Sequence, residues 1–112
     1  SVTEIGDGAF FRCKSLKSII IPNSVTKIGD RAFCECENLT KITFCGDVES
    51  IGNAIFDEYT ISRTIKVCSK GMKENMRKYV KSCGIEEKVH IKVKRYHLRT
   101  LLGCLGRVGK ER

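Results

Sequence analysis

Two cysteines and two histidines in the C-terminal third carry side chains that commonly bind zinc. Cys83, His90, His97 and Cys104 stand seven residues apart throughout. Structural zinc sites usually take ligands in pairs about two to five residues apart, because one turn then supplies two of them. Here a predicted strand separates Cys83 from His90, and His90 falls on the side of that strand away from its apolar residues. We interpret the even spacing as coincidence in a cysteine-rich chain and expect no metal and no cofactor.

Cysteine can also act as a nucleophile or a redox group, but the sequence lacks the supporting residues. No glycine-rich oxyanion loop accompanies a Cys and His pair. Cys34 and Cys36 form a Cys-x-Cys pair in which Cys36 is expected in the core and Cys34 at the surface, which disfavours redox chemistry. We therefore expect that the protein is not an enzyme.

The chain has seven cysteines, an odd number that cannot all pair within one molecule. Cys13 and Cys36 hold one position of an internal repeat, and Cys45 and Cys68 hold another. Cysteines placed by a repeat are interpreted as small buried hydrophobic residues rather than as a disulfide framework. This pattern favours reduced thiols in a reducing or anaerobic setting.

A unit of 23 residues repeats along residues 1–69, as the copies 1–23, 24–46 and 47–69. The first two copies carry the same residue at 11 of 23 positions with no gap. The third copy keeps Val48, Ile51, Gly52, Phe56 and Ile65 but has Tyr59 and Ser62 in place of Cys and Leu. Such repeats stack into a solenoid, and about three units are needed to bury a shared core.

The spacing within each copy predicts a strand on one side and a turn on the other. Residues 16–21 read L-x-x-I-x-I, and the alternation at its end is typical of a short strand with one buried face. Gly6, Gly29 and Gly52 are expected to give a tight turn freedom in φ. Asp or Asn follows each glycine and is expected to cap a short helical turn.

The pattern S-V-T-x-I-G-D-x-A-F-x-x-C-x-x-L-x-x-I-x-I-P resembles the BspA-like leucine-rich repeat, which has a 23-residue period. The resemblance covers residues 1–46 closely and 47–70 loosely. It implies an α/β solenoid, a short right-handed array with one parallel strand per coil and helical or 3₁₀ turns on the convex side. It also implies a cell-surface or secreted protein, with a role in adhesion for some members, and it supplies no catalytic residues.

Residues 70–94 depart from the repeat and are predicted to form a C-terminal cap. Apolar residues at helical spacing are Met72, Met76, Tyr79 and Val80. Gly84 favours the end of this helix, and residues 89–93 alternate as in a strand. Residues 95–112 form a basic tail, interpreted either as a weak amphipathic helix or as a disordered end.

The net charge of +8 is concentrated at one end of the chain. Residues 1–69 carry a net charge of −1, and residues 70–112 carry +9. No apolar run approaches the ~20 residues that a membrane-spanning helix needs. Because residue 1 is in phase with the repeat, we expect the sequence to be a piece of a longer protein.

The outward side chains of the predicted strands form the first candidate binding site. They are Ser18, Ile20, Lys41, Thr43, Thr64 and Lys66. The expected function is a non-enzymatic adhesion or binding module that holds a protein or glycan on the concave strand face.

The basic residues 70–112 form an alternative site that would bind nucleic acid or an anionic membrane surface. Its candidate residues are Lys92, Lys94, Arg95, Arg99 and Arg107. The resemblance implies a cell-surface or secreted location. The odd number of cysteines and the lack of a visible signal peptide leave the cytoplasm as the alternative.

Overall fold

Two separate parallel β-sheets form the walls of the repeat array. The computed structural model describes residues 2–56 and 63–94. In chain order the elements are β1 (Glu4–Ile5), β2 (Ser18–Ile21), β3 (Lys27–Ile28), β4 (Lys41–Phe44), β5 (Ser50–Ile51), β6 (Arg63–Val67), α1 (Lys70–Ser82), a 3₁₀ turn (Glu86–Lys88) and β7 (Val89–Val93). The smaller sheet has the order β1-β3-β5, and the larger has the order β2-β4-β6-β7.

The strand register reproduces the 23-residue period. In the larger sheet Ile19 pairs with Ile42, and Ile42 pairs with Ile65. In the smaller sheet Ile5 pairs in the same way with Ile28. Because each pair joins equivalent positions of successive copies, one copy is one coil of the array.

Each coil contains two parallel strands, so the expectation of one strand per coil was wrong. The extra strands, β1, β3 and β5, are two residues long. Each directly precedes the glycine that recurs at the same position of every copy, Gly6, Gly29 or Gly52. Their pattern is an exposed residue followed by isoleucine, as in Lys27–Ile28. A strand of two residues is too short to show an alternating pattern in the sequence, so the sequence predicts only the longer strands.

The wall between the two strands of a coil is built from successive single turns. Many are closed by i→i+3 hydrogen bonds, the bond type of the expected 3₁₀ turns, and in the described residues they do not extend into a helix. Gly8, Arg31 and Ala54 occupy one repeat position, and all have positive φ, at 61°, 57° and 53°. A left-handed residue ends a helical run. The N–H of Arg31 donates instead to the carbonyl of Asn53 at 2.9 Å. The backbone of this wall therefore bonds between coils as well as within its own turns, where for example the N–H of Phe11 donates to the carbonyl of Gly8 at 3.0 Å.

The aspartates of the repeat also connect coils, rather than capping their own turns as expected. Asp7 Oδ1 accepts the backbone N–H of Asp30 at 2.8 Å. Asp30 Oδ1 accepts the N–H of Asn53 at the same distance. Each carboxylate thus satisfies a backbone donor one coil further along, which no local sequence pattern reveals.

Gly29 and Gly52 are required by close approach, so the prediction that they supply freedom in φ was wrong. A Cβ placed on Gly29 would lie 2.6 Å from the backbone nitrogen of Asp7. One on Gly52 would lie 2.6 Å from the nitrogen of Asp30. Neither distance is compatible with a side chain, so these positions fix how closely successive coils stack.

A ladder of phenylalanines runs through the core. The ring of Phe33 lies between those of Phe10 and Phe56, with centroid distances of 5.5 and 6.3 Å. Phe33 is fully buried, whereas Phe10, in the first coil, is only partly covered. The second coil is therefore covered on both sides and is the centre of the hydrophobic core.

The predicted cap helix is present as α1, and local hydrogen bonds define both of its ends. Ser69 Oγ accepts the N–H of Met72 at 3.0 Å, which caps the N-terminus. Gly84 has φ 75°, and the N–H of Ile85 donates to the carbonyl of Val80 at 3.1 Å. This is the Schellman arrangement that ends helices at glycine. Within the described ranges no helix is long and apolar enough to cross a membrane.

Tyr79 joins α1 to the end of the array. Its hydroxyl donates to the carbonyl of Gly52 at 2.8 Å and accepts the N–H of Ile55 at 3.0 Å. In the first coil the equivalent groups bond to each other directly, with the N–H of Ala9 donating to the carbonyl of Gly6 at 3.2 Å. In the third coil the Tyr79 hydroxyl lies between these two groups and bonds to both. Burial raises the pKa of Tyr79 to about 12. The hydrogen bond from Ile55 opposes this rise, and Cys83 and Asp30 add to it.

We expect Phe33→Ala to lower the free energy of unfolding by about 3–5 kcal/mol, because it opens a cavity in the middle of the phenylalanine ladder. Phe11→Ala is the matched control, since Phe11 is 41% exposed in the adjacent coil; it should cost about 1 kcal/mol or less. Urea unfolding followed by circular dichroism measures both. Equal losses in the two variants would contradict the assignment of Phe33 to the core.

The Tyr79 contact should make stability pH-dependent in alkali. The folded state raises the pKa of Tyr79, so its contribution is complete below the ordinary tyrosine value of about 10 and is lost as pH rises towards about 12. Tyr79→Phe should be less stable near neutral pH, because Gly52 and Ile55 lose their partner, and should lack this alkaline component. Urea unfolding across the alkaline range compares the two proteins. A Tyr79 hydroxyl that ionises near pH 10 in the difference spectrum would refute this account.

Candidate ligand-binding face

The outward side chains of the larger sheet form rows that run across its strands. In the first row Ser18, Lys41, Thr64 and His90 are in register. In the second row Ile20, Thr43, Lys66 and Lys92 are in register. We call these eight residues, together with Lys94 directly after β7, the strand face. The rows exist because parallel pairing places equivalent residues of each strand side by side.

All six residues of the first candidate site lie together on this strand face. Ser18, Ile20 and Lys41 are exposed, and Thr43, Thr64 and Lys66 are half-buried. Ile20 is 68% exposed and gives one corner of the face an apolar contact point. Their role in binding a ligand stays a prediction.

The two candidate sites share one surface, which the sequence did not reveal. Lys92 and Lys94 were assigned to a separate basic patch. Because β7 pairs parallel with β6, Lys92 lies beside Lys66 and continues its row. Lys94 follows, and its N–H donates to the carbonyl of Val67 at 2.8 Å. The remaining residues of that patch, Arg95, Arg99 and Arg107, lie outside the described residues.

Four lysines, three on adjacent strands and Lys94 directly after β7, give this face a concentrated positive charge. The ammonium group of Lys41 lowers the pKa of Lys66, and burial, Lys94 and Lys92 lower it further. The ion pairs seen in the described residues, Arg12 with Glu35 and Arg77 with Glu74, do not involve these four lysines. The charges therefore repel one another and favour an anion placed between them.

One end of the strand face is less basic. The 3₁₀ turn contributes Glu86 and Glu87 to a groove of about 520 Å³, where they offset the basic residues Lys41, Arg63 and Lys88. Lys66, Lys92 and Lys94 do not border this groove. An anionic ligand is thus expected towards the ends of β6 and β7 rather than at their beginnings.

Arg63 is a buried cation that sequence reasoning missed. It is 3% exposed, and its guanidinium donates to the carbonyls of Leu39 at 2.8 Å and Cys36 at 2.9 Å. The guanidinium carbon lies 4.9 Å from the ring centroid of Phe56, at the end of the phenylalanine ladder. The sequence held a signal for this burial. Arginine first occupies this repeat position in the third copy, which is also the copy that has Ser62 in place of the leucine. Its burial indicates a structural role.

The evenly spaced cysteines and histidines fall on different elements. Cys83 ends α1, and His90 is an exposed residue of β7. His97 and Cys104 lie outside the described residues. Among the residues that the structure covers, no three potential metal ligands lie together.

The burial of the cysteines is consistent with the interpretation that they are small core residues of the repeat. Cys36 and Cys45 are buried, and Cys13, Cys34 and Cys68 are half-buried. The thiol of Cys36 lies 2.9 Å from the carbonyl oxygen of Phe10, one coil earlier. The expectation of a surface position for Cys34 was therefore only partly right.

We expect Lys41→Gln to raise the pKa of Lys66, because it removes the largest cause of the depression. Lys27→Gln, an exposed lysine of the smaller sheet, is the control and should leave the pKa of Lys66 unchanged. Added salt should also raise this pKa in the parent protein, since it screens the lysines. NMR titration of the lysine ε-methylene signals measures all three. An identical Lys66 pKa in the parent and the Lys41→Gln variant would contradict the cluster.

Comparison with known protein families agrees with this architecture. A family model described as BspA type Leucine rich repeat region (6 copies) matches residues 1–99. The searches found no matching curated protein and no matching solved structure. The match spans most of the chain and coincides with a strand register that advances by 23 residues per coil. The chain belongs to the BspA-type leucine-rich repeat family.

Proposed function

We propose that this chain is a non-enzymatic binding module that holds a negatively charged protein or glycan on its strand face. The convergence of Lys41, Lys66, Lys92 and Lys94 carries the proposal. The nine residues of the strand face include four lysines and no acidic residue. An anionic ligand would relieve the repulsion between the lysines, so binding is favourable and weakens as salt is added.

Family membership supports a binding role. Leucine-rich repeats generally mediate protein interactions, and the family is typically non-enzymatic. BspA-type repeats are generally surface-associated, which supports a cell-surface or secreted location for this chain, with the cytoplasm as the alternative. Adhesion and glycan binding are the finer parts of the proposal, and they rest on the charge and exposure of the strand face.

A second candidate function is binding of nucleic acid or an anionic membrane surface through residues 70–112. It is favoured by α1, whose 13 residues include five basic side chains and the single acid Glu74. A long polyanion could contact both α1 and the strand face. Both candidate functions use Lys92 and Lys94. They differ in which other residues contribute most to ligand binding: Lys41 and Lys66 in the first, and the residues after β7 in the second.

The proposal includes an organisation of the chain into three parts. Residues 1–69 form three coils with the right-handed winding implied by the family. Residues 70–94 act as the cap, since Tyr79 and the buried residues Met72 and Met76 cover the third coil. The basic tail, residues 95–112, lies outside the described residues.

Heparin, a sulfated glycan, is a suitable probe of the strand face. The double variant Lys41→Glu/Lys66→Glu should bind it about tenfold more weakly or worse, because it reverses the centre of the lysine cluster. Lys14→Glu/Lys27→Glu is the matched control, with the same change in net charge at exposed positions elsewhere. It should retain most of the affinity in surface plasmon resonance. If both variants lowered the affinity for heparin equally, binding would depend on net charge alone, and the proposed role of the strand face would be wrong.

The alternative function is separated with three probes in parallel: heparin, a single-stranded oligonucleotide and vesicles of phosphatidylcholine and phosphatidylserine. Replacing Arg95, Arg99 and Arg107 by alanine should leave heparin binding largely intact. If that triple variant instead abolishes binding to all three probes, with a steep salt dependence in the parent, the second function replaces the first.

A further inference from the structure

The outer edge of β7 presents backbone groups that point away from the sheet. The N–H of Lys94 donates to the carbonyl of Val67 in β6. Successive residues of a strand direct their N–H and C=O groups to alternate sides, so the even-numbered residues of β7 bond to β6. The N–H and C=O groups of Val89, Ile91 and Val93 therefore point to the other side. In the described part of the chain, the strand order ends at β7.

A groove lies beside this edge, between β7 and α1. Its volume is about 740 Å³. Val80, Val89 and Ile91 are its apolar residues. Its charged residues are four basic side chains, Lys73, Arg77, Lys78 and Lys81, and two acidic ones, Glu74 and Glu86, so basic residues are in excess. The exposed residues His90, Lys92 and Lys94 lie on the opposite face of the sheet. The edge is thus flanked on one face by a groove with apolar residues and an excess of basic over acidic side chains, and on the other face by lysines.

We propose that the outer edge of β7 binds an extended acidic segment of a partner protein as an additional strand. A strand added at a sheet edge gains main-chain hydrogen bonds, and its side chains alternate between the two faces. Acidic residues of the partner would lie beside Lys92 and Lys94. The intervening apolar residues would enter the groove beside Val89 and Ile91. The edge therefore selects a segment in which acidic and apolar residues alternate.

Charge excludes a second copy of this chain as the occupant. Two β7 edges placed against each other would bring lysines of like charge together across the new strand pair, which is destabilising. Lysines on an edge strand also discourage unspecific strand pairing. An acidic segment converts the same lysines into favourable cross-strand partners. The basic face of α1 adds attraction over a longer range.

This interaction differs from ligand binding on the strand face, although Lys92 and Lys94 take part in both. Main-chain hydrogen bonds carry the edge interaction, whereas lysine side chains carry the proposed function. Lys41→Glu/Lys66→Glu should therefore weaken heparin binding and leave edge binding within about threefold of the parent. The two proposals can fail independently.

The test uses an acetylated and amidated peptide of alternating Glu and Val residues as the probe, with the full chain. Binding should slow hydrogen exchange of the Val89, Ile91 and Val93 amides by about tenfold or more. The amides of His90 and Lys92 already bond within the sheet and should change little. A peptide with the same composition but grouped Glu and Val residues, and one with Lys in place of Glu, should bind at least about tenfold more weakly.

Ile91→Pro provides the matched variant. It removes an N–H that points to the outer edge and none that bonds to β6, a position that proline tolerates in edge strands. It should lower peptide affinity about tenfold or more and preserve heparin binding, whereas Ile91→Val should keep both. Two results would overturn the proposal: peptide binding without protection of the three amides, or protection that appears without peptide as protein concentration rises, which would identify a second copy as the occupant.

Discussion

The distance between successive coils is the constraint on which the rest of this structure depends. Parallel strands require neighbouring backbones at about 4.8 Å, and every wall of the coil must meet this spacing at once. Gly29 and Gly52 permit it, because a Cβ at either position would collide with the preceding coil. Asp7 and Asp30 use it, since their carboxylates reach a backbone N–H one coil away. The repeat therefore encodes contacts between coils more than the shape of any one coil.

The same spacing creates the candidate site. Stacking in register turns single outward residues into rows, so that one lysine per strand becomes a cluster. Lys41, Lys66 and Lys92 are far apart in the sequence, yet both of the other lysines lower the pKa of Lys66. A repeat array thus gathers charge without a cavity, and its surface is suited to an extended ligand that contacts several strands.

Local periodicity was enough to predict the long strands, helix α1 and the outward residues of the strand face, because alternation and helical spacing are visible in one segment. It was not enough for features that depend on neighbouring coils. The bond from the Arg31 N–H, the role of Asp30 and the burial of Arg63 each involve a residue about one repeat away. The union of the two candidate sites was missed for a related reason. The register of Lys92 beside Lys66 depends on how α1 returns the chain to the sheet, and no motif specifies it.

The proposed cap, residues 70–94, contacts the two walls of the array in different ways. On the turn wall, Tyr79 ends the stack, because its hydroxyl satisfies backbone groups of the third coil. On the larger sheet, β7 pairs with β6 as a further coil would and so moves the edge outward. A cap that extends a sheet must make its new edge selective, since an apolar edge strand would pair with any available strand. The lysines of β7 and the basic side chains of α1 meet that requirement. Protection of the edge and the proposed attraction of acidic ligands then follow from the same charges.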